Sequence, residues 1–122
     1  MAEKILIVDD DIDSLKLIGL MLQRQGYEIS AASAGGQAIS KASTESPDLI
    51  ILDVMMPDMD GYEVCRRIRQ NEKTARVPVI MITALDKPGD REMGLAAGAN
   101  DFLSKPVEDV PLFLAMQNAM AK

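Results

Sequence analysis

Five times along 122 residues a short, largely β-branched apolar run gives way to a segment with helical spacing, and this strict alternation leaves few folds open. The first run, Lys4-Ile5-Leu6-Ile7-Val8, stops abruptly at Asp9-Asp10-Asp11, as a strand buried on both faces would. From Ile12 the spacing turns helical. Leu15, Ile18 and Leu22 share one stripe, Asp11 is placed to cap the N-terminus, and Gly26 stands just past the end. Further strands are predicted over residues 27–31, 49–52, 77–82 and 102–104. Helices are predicted over 33–45, 61–71, 89–97 and 108–121.

Strands that alternate with helices must pair in parallel through right-handed crossovers, which covers both faces of the sheet with helices. The expectation is therefore a doubly wound, flavodoxin-like (βα)₅ sheet of order 2-1-3-4-5, with its ligand crevice at the carboxyl ends of the strands. The length suits a single domain over residues 1–122.

The net charge of −6 disfavours nucleic-acid and anionic-membrane surfaces, which require a basic face. The group Arg66, Arg67 and Arg69 is read as a solvated helix face. No apolar run is long enough to span a bilayer and none resembles a signal peptide, so a cytoplasmic location is expected. With no histidine in the chain, triads using a His base and imidazole-bound zinc are excluded. Cys65, the only cysteine, is read as a small buried hydrophobe. The chemistry must then rest on carboxylates, hydroxyls, lysine and metal.

Those groups follow the predicted strands: Asp9-Asp10-Asp11 after the first, Asp53 after the third, Thr83 after the fourth and Lys105 after the fifth. Taken singly, each is an ordinary strand terminator or helix cap. Asp53, however, interrupts an apolar run in a central parallel strand, where an aliphatic residue would pack better. Two carboxylates about 5 Å apart repel by roughly 3 kcal/mol at an effective dielectric of about 20, and a single lysine does not neutralise three acids. A hard divalent cation does, and Mg²⁺ suits two or three carboxyl oxygens plus water. The same charge would let Asp53 act as a nucleophile toward a phosphoryl group, whose oxygens Lys105 and the Thr83 hydroxyl would hold. The residues alone leave open which pair of the three N-terminal acids binds metal.

The ordered set Ile5-Leu6-Ile7-Val8-Asp9-Asp10, Asp53-Val54-Met55-Met56-Pro57-Asp58-Met59-Asp60-Gly61, Thr83-Ala84 and Phe102-Leu103-Ser104-Lys105-Pro106 resembles receiver domains of two-component response regulators over the whole chain. The resemblance implies that Asp9 and Asp10 organise Mg²⁺, that the Met55 carbonyl completes the metal site, and that a histidine kinase or phosphotransfer protein phosphorylates Asp53. It implies that Lys105 and Thr83 bind the phosphoryl group, that the bond before Pro106 is cis, and that Thr83 and Phe102 form the conformational switch. Many relatives carry tyrosine where this chain has Phe102, so the switch would work by packing alone. The output would be a downstream protein or an appended domain.

Two other classes are weighed against this one. A Mg²⁺-dependent phosphohydrolase with an aspartyl-phosphate intermediate needs an acid two residues after its nucleophile, where this chain has Met55. A phosphorylation-independent interaction domain would be expected to lose part of the acid, threonine and lysine set, which is complete here. Gly35-Gly36 matches neither phosphate-loop pattern. The spacing of Gly94 and Gly98 reads as close packing or a helix end. The resemblance further implies that Met55 and Leu85 flank the approach of hydrolytic water to a phosphorylated Asp53, and side chains so apolar and bulky are expected to slow its loss. Finally, Leu112, Phe113, Leu114, Met116 and Met120 are too many for one core-facing stripe, which leaves open a protein contact such as a homodimer through the last helix and fifth strand, a face covered by a longer chain, or a helix merely rich in alanine and methionine.

Overall fold

The structure is a computed structural model and describes residues 2–84 and 87–121. Its elements follow in the order β1 Lys4–Val8, α1 Ile12–Arg24, β2 Glu28–Ala32, α2 Gly35–Glu45, β3 Leu49–Asp53, α3 Gly61–Gln70, β4 Val79–Thr83, α4 Asp90–Ala97, β5 Asp101–Ser104 and α5 Asp109–Met120. All sheet pairings are parallel and the strand order is β2-β1-β3-β4-β5, the doubly wound arrangement expected from the sequence.

Alternation along each strand divides the core in two. Leu6, Val8, Ile50, Leu52, Val79 and Met81 face the side that carries α2, α3 and α4. Ile5, Ile7, Leu49, Ile51, Ile80 and Ile82 face α1 and α5. These strand residues are fully buried, and each such side chain contributes about 1.5–3 kcal/mol relative to exposure. Asp9 and Asp53 continue the α1/α5-facing series at the carboxyl edge of the sheet and are themselves buried. A carboxylate there forgoes that apolar gain.

Local signals set the ends of the elements. Asp11 caps α1 by accepting from the Asp13 N–H, and the chain turns out of α1 through Gly26 at φ 92°. The fourth strand starts later than expected, at Val79, because Pro78 has no N–H for the ladder. At the carboxyl edge Asp53 and Thr83 are the last residues of β3 and β4 rather than the first residues beyond them.

The basic group of α3 is only partly solvated. Arg66 and Arg67 pair with Glu63 at the surface. Arg69 instead turns inward, donating to the carbonyls of Val77 at 2.6 Å and Gly98 at 2.8 Å, and so ties α3 to the segments before β4 and after α4. Cys65 is a buried, unpaired thiol. No helix among the described residues is long and apolar enough to cross a membrane.

Candidate metal and phosphoryl site

Four of the predicted residues, Asp9, Asp10, Asp53 and Lys105, meet at the carboxyl edge, where the backbone ladder fixes their spacing. The Asp9 N–H bonds the Ala32 carbonyl, the Val54 N–H bonds Ile82, and the Lys105 N–H bonds Thr83 at 2.8 Å. Carboxylate oxygens of Asp9, Asp10 and Asp53 all lie within 4.8 Å of one another, with Asp9 and Asp53 buried and Asp10 exposed. The Lys105 ammonium sits 2.7 Å from Asp9 Oδ2 and 3.4 Å from Asp53 Oδ2. Asp11, the third acid, turns away to cap α1 and is not in the cluster.

Each oxygen has a distinct environment. Asp9 Oδ1 accepts from the Asp11 N–H at 3.0 Å, and Asp53 Oδ1 accepts from the Met55 N–H at 3.2 Å. Asp9 Oδ2 is fully buried and has the Lys105 ammonium as its one close polar contact, which leaves it lone-pair capacity for a further ligand. Such an oxygen is costly to bury and available to a ligand. A buried oxygen held only by the Lys105 ammonium, beside two further carboxylates, is a donor set that fits a hard divalent cation, and the cluster is able to coordinate a metal ion.

Charge on these groups follows their surroundings. Burial, reinforced by the adjacent Asp9, pushes the Asp53 carboxyl up to about 6, against the pull of Lys105 and the Met55 N–H. Burial alone would lower the Lys105 ammonium, but the neighbouring Asp9 and Asp53 outweigh it and raise its pKa.

Stability of the metal-free protein should therefore depend on pH with an inverted sign for a carboxylate. With its pKa raised from 3.8 to about 6, folded Asp53 retains a proton that the unfolded chain has already released. Its stabilising contribution is complete below the lower value and is lost as pH climbs through the upper one, a fall on the order of 3 kcal/mol. Urea melts in a chelator from pH 4 to pH 7 should show that fall, and Asp53→Asn should flatten it.

The remaining predicted residues lie around the cluster. Thr83 is buried at the end of β4, and the Lys105–Pro106 peptide bond is cis. Phe102 is buried against Met81 and Gly94; a Cβ on Gly94 would come within 2.9 Å of the ring, so the glycine of α4 is what admits it. The Met55 side chain is exposed. Leu85 lies outside the described residues. Beside Thr83 a cleft of about 230 Å³ opens between Val54, Met55, Tyr62, Lys87 and Asp90. On the other side of Lys105 a mainly apolar groove of about 340 Å³ runs along Leu17, Ile18, Pro106 and Val107. The sequence did not single out Asp58, whose carboxylate binds the N-terminus of α2.

Comparison with known proteins agrees with this geometry. The family model "Response regulator receiver domain" matches residues 5–117. The response regulator PleD of Caulobacter vibrioides is 46% identical over 118 residues, which are 97% of this chain and 26% of PleD, so the chain spans about a quarter of that relative. The crystal structure of the receiver domain of sensor histidine kinase PA1611 from Pseudomonas aeruginosa, with a magnesium ion coordinated in its active-site cleft, superposes with a TM-score of 0.92 at 36% identity, covering 100% of both chains. The chemotaxis protein CheY4 of Vibrio cholerae gives a TM-score of 0.91 at 34% identity, covering 98% of this chain and 99% of that one. The fold, the acid cluster and these matches together show that the chain belongs to the response regulator receiver domains, regulatory modules of two-component signalling rather than enzymes.

Proposed function

We propose that Asp53 accepts a phosphoryl group from the phosphohistidine of a sensor kinase or phosphotransfer protein, or from acetyl phosphate. Mg²⁺ would be held by Asp9, Asp10, Asp53 and the Met55 backbone carbonyl. The observation that carries this reading is the buried Asp53 carboxylate, aligned with Asp9 against Lys105 at an open sheet edge. The magnesium ion in the PA1611 receiver domain supports the choice of metal. A cation bound there supplies positive charge that offsets repulsion between the acids and an incoming phosphoryl group. The single sheet, with helices on both faces, supports one receiver domain over residues 1–122.

In the transfer, an Asp53 carboxylate oxygen forms the bond to phosphorus as the donor's P–N bond, or the P–O bond of acetyl phosphate, breaks and its electron pair leaves with the imidazole or the acetate. Lys105 keeps its proton throughout, helped by the raised pKa, and pairs with a phosphoryl oxygen once Asp53 has become an acyl phosphate. The Thr83 hydroxyl donates to another oxygen, and Phe102, already packed over Gly94, would be held in that buried rotamer. The apolar groove beside Lys105 suits a donor protein that must bring its imidazole to the edge. Incubation with acetyl phosphate and Mg²⁺ should add one phosphoryl group by intact mass, and a chelator should prevent it. Labelling that ignores metal would reject the site as assigned.

The phosphorylated form should be long-lived. Met55 stands exposed at the site entrance and offers no group to orient an attacking water. Met55→Asn combined with Leu85→Glu should accelerate loss of the phosphoryl group by roughly a hundredfold, the low end of what a positioned base contributes. Decay that stays the same or slows would reject this account.

The downstream face is assigned to α5 and β5. Of the five residues named above, Leu112 and Met116 are buried and Phe113 and Met120 pack half-buried against the same core, which leaves Leu114, with Val110, facing outward. Beryllofluoride with Mg²⁺ should shift the sedimenting species from monomer toward a homodimer, and Leu114→Lys should cancel the shift. A monomer in both conditions would leave this face to a different protein.

A further inference from the structure

Helix α2 begins without a cap of its own. Its N-cap residue is Ala34, which has no side-chain acceptor, and the first N–H groups of the helix belong to Gly35 and Gly36. Both donate instead to Asp58, at 2.7 Å to one carboxylate oxygen and 2.9 Å to the other. The capping group thus arrives from 23 and 22 residues away, on the loop between β3 and α3. Two oriented N–H donors at the positive end of a helix favour the ionised acid, and they hold the Asp58 carboxyl below its ordinary value.

The fit of loop to helix is tight. A Cβ on Gly35 would fall 2.6 Å from Met59 Cγ and 2.9 Å from Val64 Cγ2, so any larger residue would push these side chains aside and lift the loop. The loop is closed at its base as well, where the Gly61 N–H bonds the Val54 carbonyl at 2.8 Å. Between base and latch lies Met55, whose N–H holds Asp53 Oδ1. The exposed Met55 side chain packs on too little to fix its own backbone, so that backbone depends on the anchors on either side.

We propose that Asp58 is a positioning residue of the phosphorylation site: by latching the β3–α3 loop onto the N-terminus of α2, it holds the Met55 backbone where it steadies Asp53 and completes the cation site. The inference rests on the reading above that the three acids and the Met55 carbonyl bind Mg²⁺. Its particular content is that Asp58 serves two ends, the helix and the loop, and that the two can be separated.

Calorimetric titration of the full chain with Mg²⁺, run well below every variant's melting temperature, tests this. Asp58→Ala should weaken Mg²⁺ binding about tenfold, at the low end of what losing a partner that orients a metal ligand produces. Ala34→Ser added to that variant gives α2 a cap of its own but does not restore the latch. The melting temperature should recover and the affinity should stay low. Ser40→Gly, an exposed change in the middle of α2, weakens the helix without touching the loop and should leave the affinity at the wild-type value. Recovery of affinity in the Asp58→Ala/Ala34→Ser protein, an equal loss in Ser40→Gly, or unchanged binding in Asp58→Ala would each overturn the proposal. A wild-type chain that binds no Mg²⁺ would instead sink the reading of the site itself.

Discussion

Asp53→Asn is expected to abolish phosphorylation by acetyl phosphate while making the metal-free protein more stable at neutral pH, and the two effects share one cause. The amide is nearly the same size as the carboxylate and keeps an oxygen for the Met55 N–H that Asp53 Oδ1 now accepts. It lacks the charge that attacks phosphorus and the charge that repels Asp9. Desolvation and Asp9 together raise the Asp53 carboxyl to about 6, so at neutral pH the folded chain carries an ionised group it would rather leave protonated. Removing it should yield on the order of 2–3 kcal/mol, since each unit of pKa shift corresponds to about 1.4 kcal/mol. Lys105 remains paired with Asp9, 2.7 Å away, and so is not stranded. Intact mass after labelling and chelator-buffered urea melts read the two effects separately. A variant that merely misfolds would lose stability as well as labelling. One that still takes up a phosphoryl group would identify another acceptor.

Much of this site was legible because it is built at strand ends. Runs such as Lys4–Val8 and Leu49–Asp53 announce buried parallel strands, and in a doubly wound sheet their carboxyl ends must lie together. The positions of Asp9, Asp53, Thr83 and Lys105 could therefore be placed from alternation alone. Strand ends were less clear. Whether Asp53 closes β3 or follows it depends on the Val54 N–H reaching Ile82, a pairing between strands that no single run encodes. Arg69 was misread for a similar reason. Its neighbours Arg66 and Arg67 are surface residues, and only the fold brings the Val77 and Gly98 carbonyls within its reach. The cap on α2 was hidden most completely. Ser33 looks like a helix start, yet the helix begins at Gly35 and takes its acceptor from Asp58. A cap supplied from so far along the chain leaves no local pattern, and the glycine pair is meaningful only once Met59 and Val64 are seen against it.

The opposite substitution at the same cluster carries the second large effect. Lys105→Ala leaves Asp9 and Asp53 buried together with no cation between them. Breaking a buried ion pair by deleting one partner costs about 3–5 kcal/mol, most of it from the charge left behind. The Lys105 side chain is only 16% exposed and that of Asp9 is fully buried, so solvent screens the pair weakly. Two treatments should restore much of the loss, and together they identify its origin. Lowering the pH through the range where Asp53 protonates removes one of the charges, so the gap between mutant and wild type should narrow as the solution is acidified. Millimolar Mg²⁺ should narrow it at neutral pH, because a cation that binds only the folded acid cluster stabilises in proportion to its occupancy, and without the lysine it meets less competition for Asp9 Oδ2. Asp10→Asn, which removes an exposed member of the cluster, should blunt the rescue by metal and leave the rescue by acid intact. Melting curves for Lys105→Ala that respond to neither acid nor Mg²⁺ would show that the lysine matters through its packed stem rather than its charge. Rescue by acid alone would mean that the cluster fails to bind the cation its oxygens suit.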